Sequence, residues 1–220
     1  MPDHRQKKLA RHKKKRASVQ RSHARGSVDE QTRDEFMKKL VREAPSFPEG
    51  PCFIASTWND PSASRVLPVA ITRRLSADTL VMVIFLVDLG CFGLKDAILT
   101  VPFKEARIGE LLQNLANLSK TTIESVPIAL ASAVIRKAIL WGAKLGFAPE
   151  ADDSELLTFL SPASDEDVEV RMGRDGKVVY EPDPGEDTQP IVQKLVQTVG
   201  PDGFIVVLPN KPPEPPSATG

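Results

Sequence analysis

Residues 79–87 read TLVMVIFLV, an almost wholly apolar run rich in Val, Ile and Leu. Such a run, bounded by polar residues, reads as a strand buried on both faces. It stops at Asp88 and gives way to Leu89-Gly90-Cys91-Phe92-Gly93, a glycine-rich corner, then to a more polar stretch carrying Lys95 and Asp96. The rest of the chain is organised around this strand and corner. Any chemistry would be expected at the corner, yet it carries no motif that names a reaction.

The length of 220 residues, with 41% hydrophobic and 26% charged content, suits one sizeable core with appendages. The longest apolar run is about half of the roughly 20 residues that span a bilayer, so no membrane segment is expected. No apolar stretch follows the basic N-terminus as a secretory signal requires. Cys52 and Cys91 are the only cysteines. They are too few for a disulfide framework or a four-thiolate zinc site, which points to a reducing cytoplasm.

A net charge of zero conceals a strong asymmetry. Residues 1–26 hold ten Lys or Arg against the single acid Asp3, a charge of +9, which leaves −9 on the remainder. His4, His12 and His23 all fall in that segment, so residues 27–220 contain no histidine. Histidine general bases, Ser-His-Asp and Cys-His nucleophilic sites and His-metal hydrolases are thereby excluded from the body. An enzyme built there would rely on carboxylates, lysine, the Cys91 thiol, Tyr180 or carboxylate-bound magnesium.

In residues 1–26 Leu9 and Val19 stand isolated among charges, and the segment is expected to be a disordered basic arm. Asp29 and Glu30 then suit a helix start, with Phe36, Met37, Leu40 and Val41 on one face before Pro45. Strands are expected over residues 52–58, 65–75 and 79–87, joined by an Asn59-Asp60-Pro61 turn and a tight Ser76-Ala77-Asp78 connection. Pro68 places the second strand at an edge or a bulge. Ile108, Leu111, Leu112, Leu115 and Leu118 form a helical stripe over residues 105–118.

The best-marked helix has Ser125 as its cap and Pro127 in its first turn, and ends at Gly146. A short helix follows over residues 154–160. Segments 168–172 and 177–180 flank Arg174-Asp175-Gly176, whose Asp-Gly pair signals a hairpin. A helix over residues 188–199 and a strand over 204–208 complete the order. Residues 210–220 form a proline-rich tail. The fold class is α+β, a mainly antiparallel sheet with helices packed on one face, and residues 27–209 read as a single domain.

Three pieces recur in one order. They are Val87-Asp88-Leu89 with Cys91, Gly93 and Lys95-Asp96-Ala97, then Leu145-Gly146-Phe147 with Pro149, then Asp175-Gly176-Lys177 with Tyr180. In this the chain resembles a group of bacterial proteins of unknown function over roughly residues 52–208. Glu150 stands where similar proteins often carry a histidine. The resemblance implies one fold and brings no activity, cofactor or partner with it.

Each candidate has a plain structural alternative. Asp88 could bind magnesium with Asp96 while Lys95 stabilises negative charge, as in a magnesium-dependent hydrolase or nuclease; it could equally accept the N–H groups of its own corner. Cys91 could be a nucleophile activated by Lys95 or a small core residue. The acids Asp165-Glu166-Asp167, and those from Glu181 to Asp187, lack calcium-loop spacing and read as solvated loops. No cofactor or metal site is expected.

Lys7, Lys8, Arg11, Lys13, Lys14, Lys15, Arg16, Arg21 and Arg25 suit contact with nucleic-acid phosphates, where counterion release supplies sequence-independent affinity. No aromatic residue is interleaved with them for base stacking. The leading expectation is a cytoplasmic, non-enzymatic factor that associates with RNA or a ribonucleoprotein through this arm. A protein partner, or the acidic body itself, is the other possible counterpart.

Overall fold

The structure, a computed structural model, describes residues 30–162 and 168–208. Expectations for the basic arm, for Asp165-Glu166-Asp167 and for the proline-rich tail lie outside the described residues. The chain divides into two compact units after Glu43. In the first, helix α1 (Glu30–Glu43) forms where the Phe36, Met37, Leu40 and Val41 stripe predicts it.

The second unit is built on an antiparallel sheet of order β4-β3-β2-β1-β6, with β5 also paired to β3. Its strands are β1 (Cys52–Ala55), β2 (Val66–Ser76), β3 (Thr79–Asp88), β4 (Gly93–Leu99), β5 (Phe103–Lys104) and β6 (Ile123–Val126). Between them run helices α2 (Ile108–Ser119) and α3 (Ile128–Lys144), followed by α4 (Ala151–Glu155) and a 3-10 turn (Leu156–Phe159). Strands β7 (Val178–Tyr180) and β8 (Phe204–Val206), with α5 (Gln189–Val199) between them, form a separate parallel pair. The α+β class and the mainly antiparallel sheet agree with the sequence reading.

Helix coverage extends to both faces of the sheet, and β3 shows why. In register, Phe53, Ala70 and Ile84 share one face, and that face packs with Ile108, Leu111, Leu112 and Leu115 of α2. Ile54, Val69, Phe85 and Ala97 alternate to the other face and are all buried. Helix α3 lies across β1 to β4 and buries Ala131, Val134, Ile135 and Ala138. Both faces are therefore dry, which is why the β3 sequence reads as a continuous apolar run instead of an alternating one.

Several boundaries differ from the sequence expectation for local reasons. Strand β1 ends at Ala55, where the carbonyls of Ala55 and Thr57 accept turn hydrogen bonds from Trp58 and Asp60. Ser125, expected as a helix cap, instead sits in β6 opposite Phe53, and α3 begins only after Pro127. The Asp175-Gly176 turn forms, with φ of 50° and 75°, but no strand precedes it. Residue 173 is held instead by the Leu89 carbonyl, and β7 takes β8 as its partner. The apolar side chains of β8, Phe204 and Val206, pack with Cys91, Leu145, Val178, Tyr180 and Leu195, so burial outweighs the local hairpin signal.

Candidate functional site

Strand β3 delivers Asp88 to the corner, where it is only 1% exposed. Its Oδ1 accepts the backbone N–H groups of Gly90 at 2.8 Å and Cys91 at 2.9 Å. Oδ2 is buried with no hydrogen-bond partner among the described residues. Burial raises the Asp88 pKa to about 6, against the lowering influence of the corner N–H groups and of Lys95. The carboxylate thus does what a short polar side chain does in a tight turn.

Every side of the corner is engaged by another element. Leu89 N–H donates to the Arg65 carbonyl, and its own carbonyl accepts from Gly173 N–H. The Gly90 carbonyl accepts Val179 N–H at 3.1 Å and Trp141 Nε1–H at 3.2 Å. A Cβ at Gly90 would lie 2.3 Å from the Val179 carbonyl oxygen, so only glycine permits β7 to approach this closely. Arg65, fully buried, donates to the carbonyls of Asp60 and Arg171, while its own N–H reaches Glu181 Oε1 at 2.9 Å. Gly90, through Val179, ties β7 to the corner by backbone, and Arg65 ties the flanking residues Arg171 and Glu181 to the same place.

The candidate residues do not assemble into a catalytic group here. Lys95 Nζ pairs with Asp183 at 3.1 Å and sits 5.7 Å from the Phe92 ring centroid. Asp96 lies opposite Leu86, across a register shift from Asp88, and its Oδ1 accepts the N–H of Ala97 at 2.9 Å. Ala97 N–H also reaches Asp153 of α4, so acids cap the edge of β4. Among the described residues no group of three or more His, Cys, Asp or Glu could hold a metal ion. The geometry gives a magnesium-dependent hydrolase neither convergent carboxylates nor solvent access at Asp88.

Cys91 is buried, and both burial and Asp88 push its thiol up, opposite to what a nucleophile needs. Cys52 is raised to about 11 by burial and lies near the level of Ile71, far along the sheet from the corner. Of the later acids, Glu181 holds Arg65 N–H and Ser64 Oγ–H, and Glu186 accepts Asp183 N–H at 2.9 Å. These acids are spent on Ser64, Arg65, Lys95 and the loop's own Asp183 N–H. The basic residues from Lys7 to Arg25 lie outside the described residues.

Sequence reasoning missed a second region. A cleft of about 640 Å³ opens between the Pro45–Glu49 segment, the 3-10 turn and α3, and is lined by Phe47, Pro48, Arg73, Arg136, Leu157 and Leu160 among others. Arg73 is 4% exposed, and its guanidinium donates to the carbonyls of Phe47, Phe159 and Leu160. Arg136 on α3 donates to the Ser161 carbonyl. The signal was present in the period-2 pattern of β2: Leu67, Val69, Ile71 and Arg73 share a face, so a cation is carried into the core side. No helix among the described residues is long and apolar enough to cross a membrane. No protein-family model, curated protein or solved structure matches this chain.

Proposed function

We propose that this protein is a non-enzymatic cytoplasmic factor that binds structured RNA or a ribonucleoprotein through the basic residues of its N-terminal arm. The observation that carries the reading is the charge of that segment: ten Lys or Arg and one acid in 26 residues, with no aromatic side chain among them. Each phosphate neutralised by Lys or Arg releases condensed counterions, so affinity comes from charge density and not from base edges. Without Phe, Tyr or Trp the arm lacks the large aromatic platforms on which unpaired bases most often stack. The engaged, buried state of the Asp88 corner supports a scaffold in preference to a catalytic body.

The test is binding of a structured RNA by the full chain and by a full-length variant with Lys13, Lys14, Lys15 and Arg16 replaced by Ala, from low to physiological salt. Neutralising about five phosphates predicts a log–log salt slope near −4.5 on a duplex and near −3.5 on a single strand, with little sequence preference. The variant should bind more weakly with a shallower slope. Equal binding by both proteins would move the site to the body. Absence of binding by either would favour a protein counterpart or the chain's own acidic body, whose net charge of −9 gives that second reading its basis.

A further inference from the structure

The small parallel pair carries an open edge. Val178 N–H donates to the Gly203 carbonyl and Val207 N–H to the Tyr180 carbonyl, so residues 203, 205 and 207 turn their backbone groups toward β7. Phe204, Val206 and Leu208 alternate with them and turn theirs outward, where no other described residue pairs with them. The run Phe204-Ile205-Val206-Val207-Leu208 is wholly apolar, yet none of it is fully buried, and Leu208 is 70% exposed. An uncharged edge with open donors and acceptors is a template for one more strand. The main sheet guards its own edges: Asp153 of α4 reaches the Ala97 N–H of β4, and β6 carries the exposed Glu124 and stops at Pro127. Residues 204–208 have no such charge.

The ends of the chain are poor partners for this edge. Residues 209–220 include Pro209, Pro212, Pro213, Pro215 and Pro216, none of which has an N–H to give, and residues 1–26 are dense in charge. A second copy fits it. We infer that β8 is a homodimer edge, two copies pairing antiparallel about a two-fold axis at Val206. In that register Val206 faces Val206 and Phe204 faces Leu208, with about six N–H to C=O bonds in all, and Ile205 faces Val207. Every cross-strand pair is apolar and no like charges meet, whereas β6 paired in the same way through Ile123 and Ser125 would set Glu124 against itself. Leu208 comes to lie beside the second copy's Phe204, which already packs with Cys91, Leu145 and Tyr180, so the apolar cluster continues across the axis. The contact is isologous and closes at two copies. A ladder of this length is small against a standard interface of about 1,600 Å², which sets the expected affinity in the micromolar range. The surface is independent of the basic arm and of the reading proposed for it.

Sedimentation equilibrium of the full-length protein, freed of nucleic acid, tests the inference from low to high micromolar concentration. The parent should pass from monomer to dimer and no further. Leu208→Lys, at an exposed position, should keep the parent's urea midpoint and weaken the dimer at least tenfold by setting a cation against the second copy's Phe204. Replacement of Lys13, Lys14, Lys15 and Arg16 by Ala should leave dimerisation unchanged. Amide hydrogen exchange followed by NMR at the highest concentration should be at least tenfold slower at Phe204 and Val206 in the parent than in Leu208→Lys, and equal in the two at Ile205 and Val207, which face β7. A parent that stays monomeric at high micromolar concentration or grows beyond a dimer, a dimer undiminished in Leu208→Lys or lost in the arm variant, or Phe204 and Val206 amides that exchange equally fast in both proteins would each overturn it.

Discussion

Gly142 of α3 rests directly on the backbone of Phe92: a Cβ at position 142 would stand 2.3 Å from the Phe92 carbonyl oxygen. One turn earlier the contact is returned, since a Cβ at Gly93 would meet the Ala138 carbonyl oxygen at 2.4 Å. Helix and corner therefore approach backbone to backbone, and two glycines make the approach possible. The corner's shape is set as much by α3 as by its own turn.

Gly142→Ala should consequently destabilise, although Ala is the better helix former by about 1 kcal/mol. The new methyl meets backbone, which cannot swing aside, and overpacking of this kind costs about 1–3 kcal/mol beyond the propensity gain. Gly109, in the first turn of α2, has open space within 4 Å of where a Cβ would stand, so Gly109→Ala should stabilise by about 0.5 kcal/mol. Urea denaturation of both variants measures the contrast. A Gly142→Ala protein as stable as the parent would mean that α3 does not rest directly on Phe92.

Asp88 gives a pH signature with a defined sign. Its folded pKa of about 6 lies above the unfolded value of 3.8, so the folded state holds the proton longer. Its contribution is fully present below about pH 4, declines as pH rises to about 6, and is level above that; the total change is on the order of 2–3 kcal/mol. The stability difference between the parent and Asp88→Asn should follow this course, since Asn keeps an acceptor for the Gly90 and Cys91 N–H groups without titrating. Asp88→Ala leaves both buried donors unsatisfied and should cost about 2–4 kcal/mol more than Asp88→Asn, with the same pH course relative to the parent. A parent-minus-Asn difference that is flat from pH 4 to 7 would remove Asp88 as a titrating buried acid.

How much of this was legible depends on whether the cause was local. The β3 strand and its corner were readable because eight consecutive apolar residues, Leu80 to Val87, closed by Asp88 and a Gly-Cys-Phe-Gly turn admit few alternatives. The α2 stripe was readable for the same reason through Ile108, Leu111, Leu112 and Leu115, while Leu118, read into the same stripe, is exposed. Strand β6 was not, because its four residues, Ile123 to Val126, gain strand identity only from pairing with β1, and Ser125 beside Pro127 imitates a helix start. The parallel β7–β8 pair was equally hidden, since the Asp175-Gly176 turn advertises a hairpin while the partner strand lies beyond α5. At the site, the Asp88 turn role was weighed from sequence alone, but Arg65, just before β2, and Arg73, within it, passed unnoticed. Their partners are carbonyls, which no side-chain pattern reveals.

The two faces of β3 differ in depth, and a pair of neighbouring substitutions should show it. Phe85 is fully buried on the face across which α3 lies, and Phe85→Ala should cost about 3–5 kcal/mol. Ile84, directly before it, is half-buried beside the α2 cluster, so Ile84→Ala should cost less, about 1–3 kcal/mol. Denaturant midpoints with unchanged m-values would establish that both losses are local. A larger loss at Ile84 than at Phe85 would invert the assignment of the deeper face.

The thiols provide a test of the corner as a closed joint. Cys52 and Cys91 are both free and buried, and burial raises both thiols above their ordinary range. Thiolate is the reacting species toward an aromatic disulfide reagent, so both groups should be silent in the native protein at pH 8 and titrate as two equivalents after denaturation. Lys95 stands close enough to favour a Cys91 thiolate, but it counts for less than the desolvation and the Asp88 charge that oppose ionisation. Lys95→Met should accordingly leave native reactivity at zero. Rapid modification of one thiol in the folded parent, lost in Cys91→Ser and slowed in Lys95→Met, would instead mark Cys91 as an accessible nucleophile and reopen the corner as a reactive site.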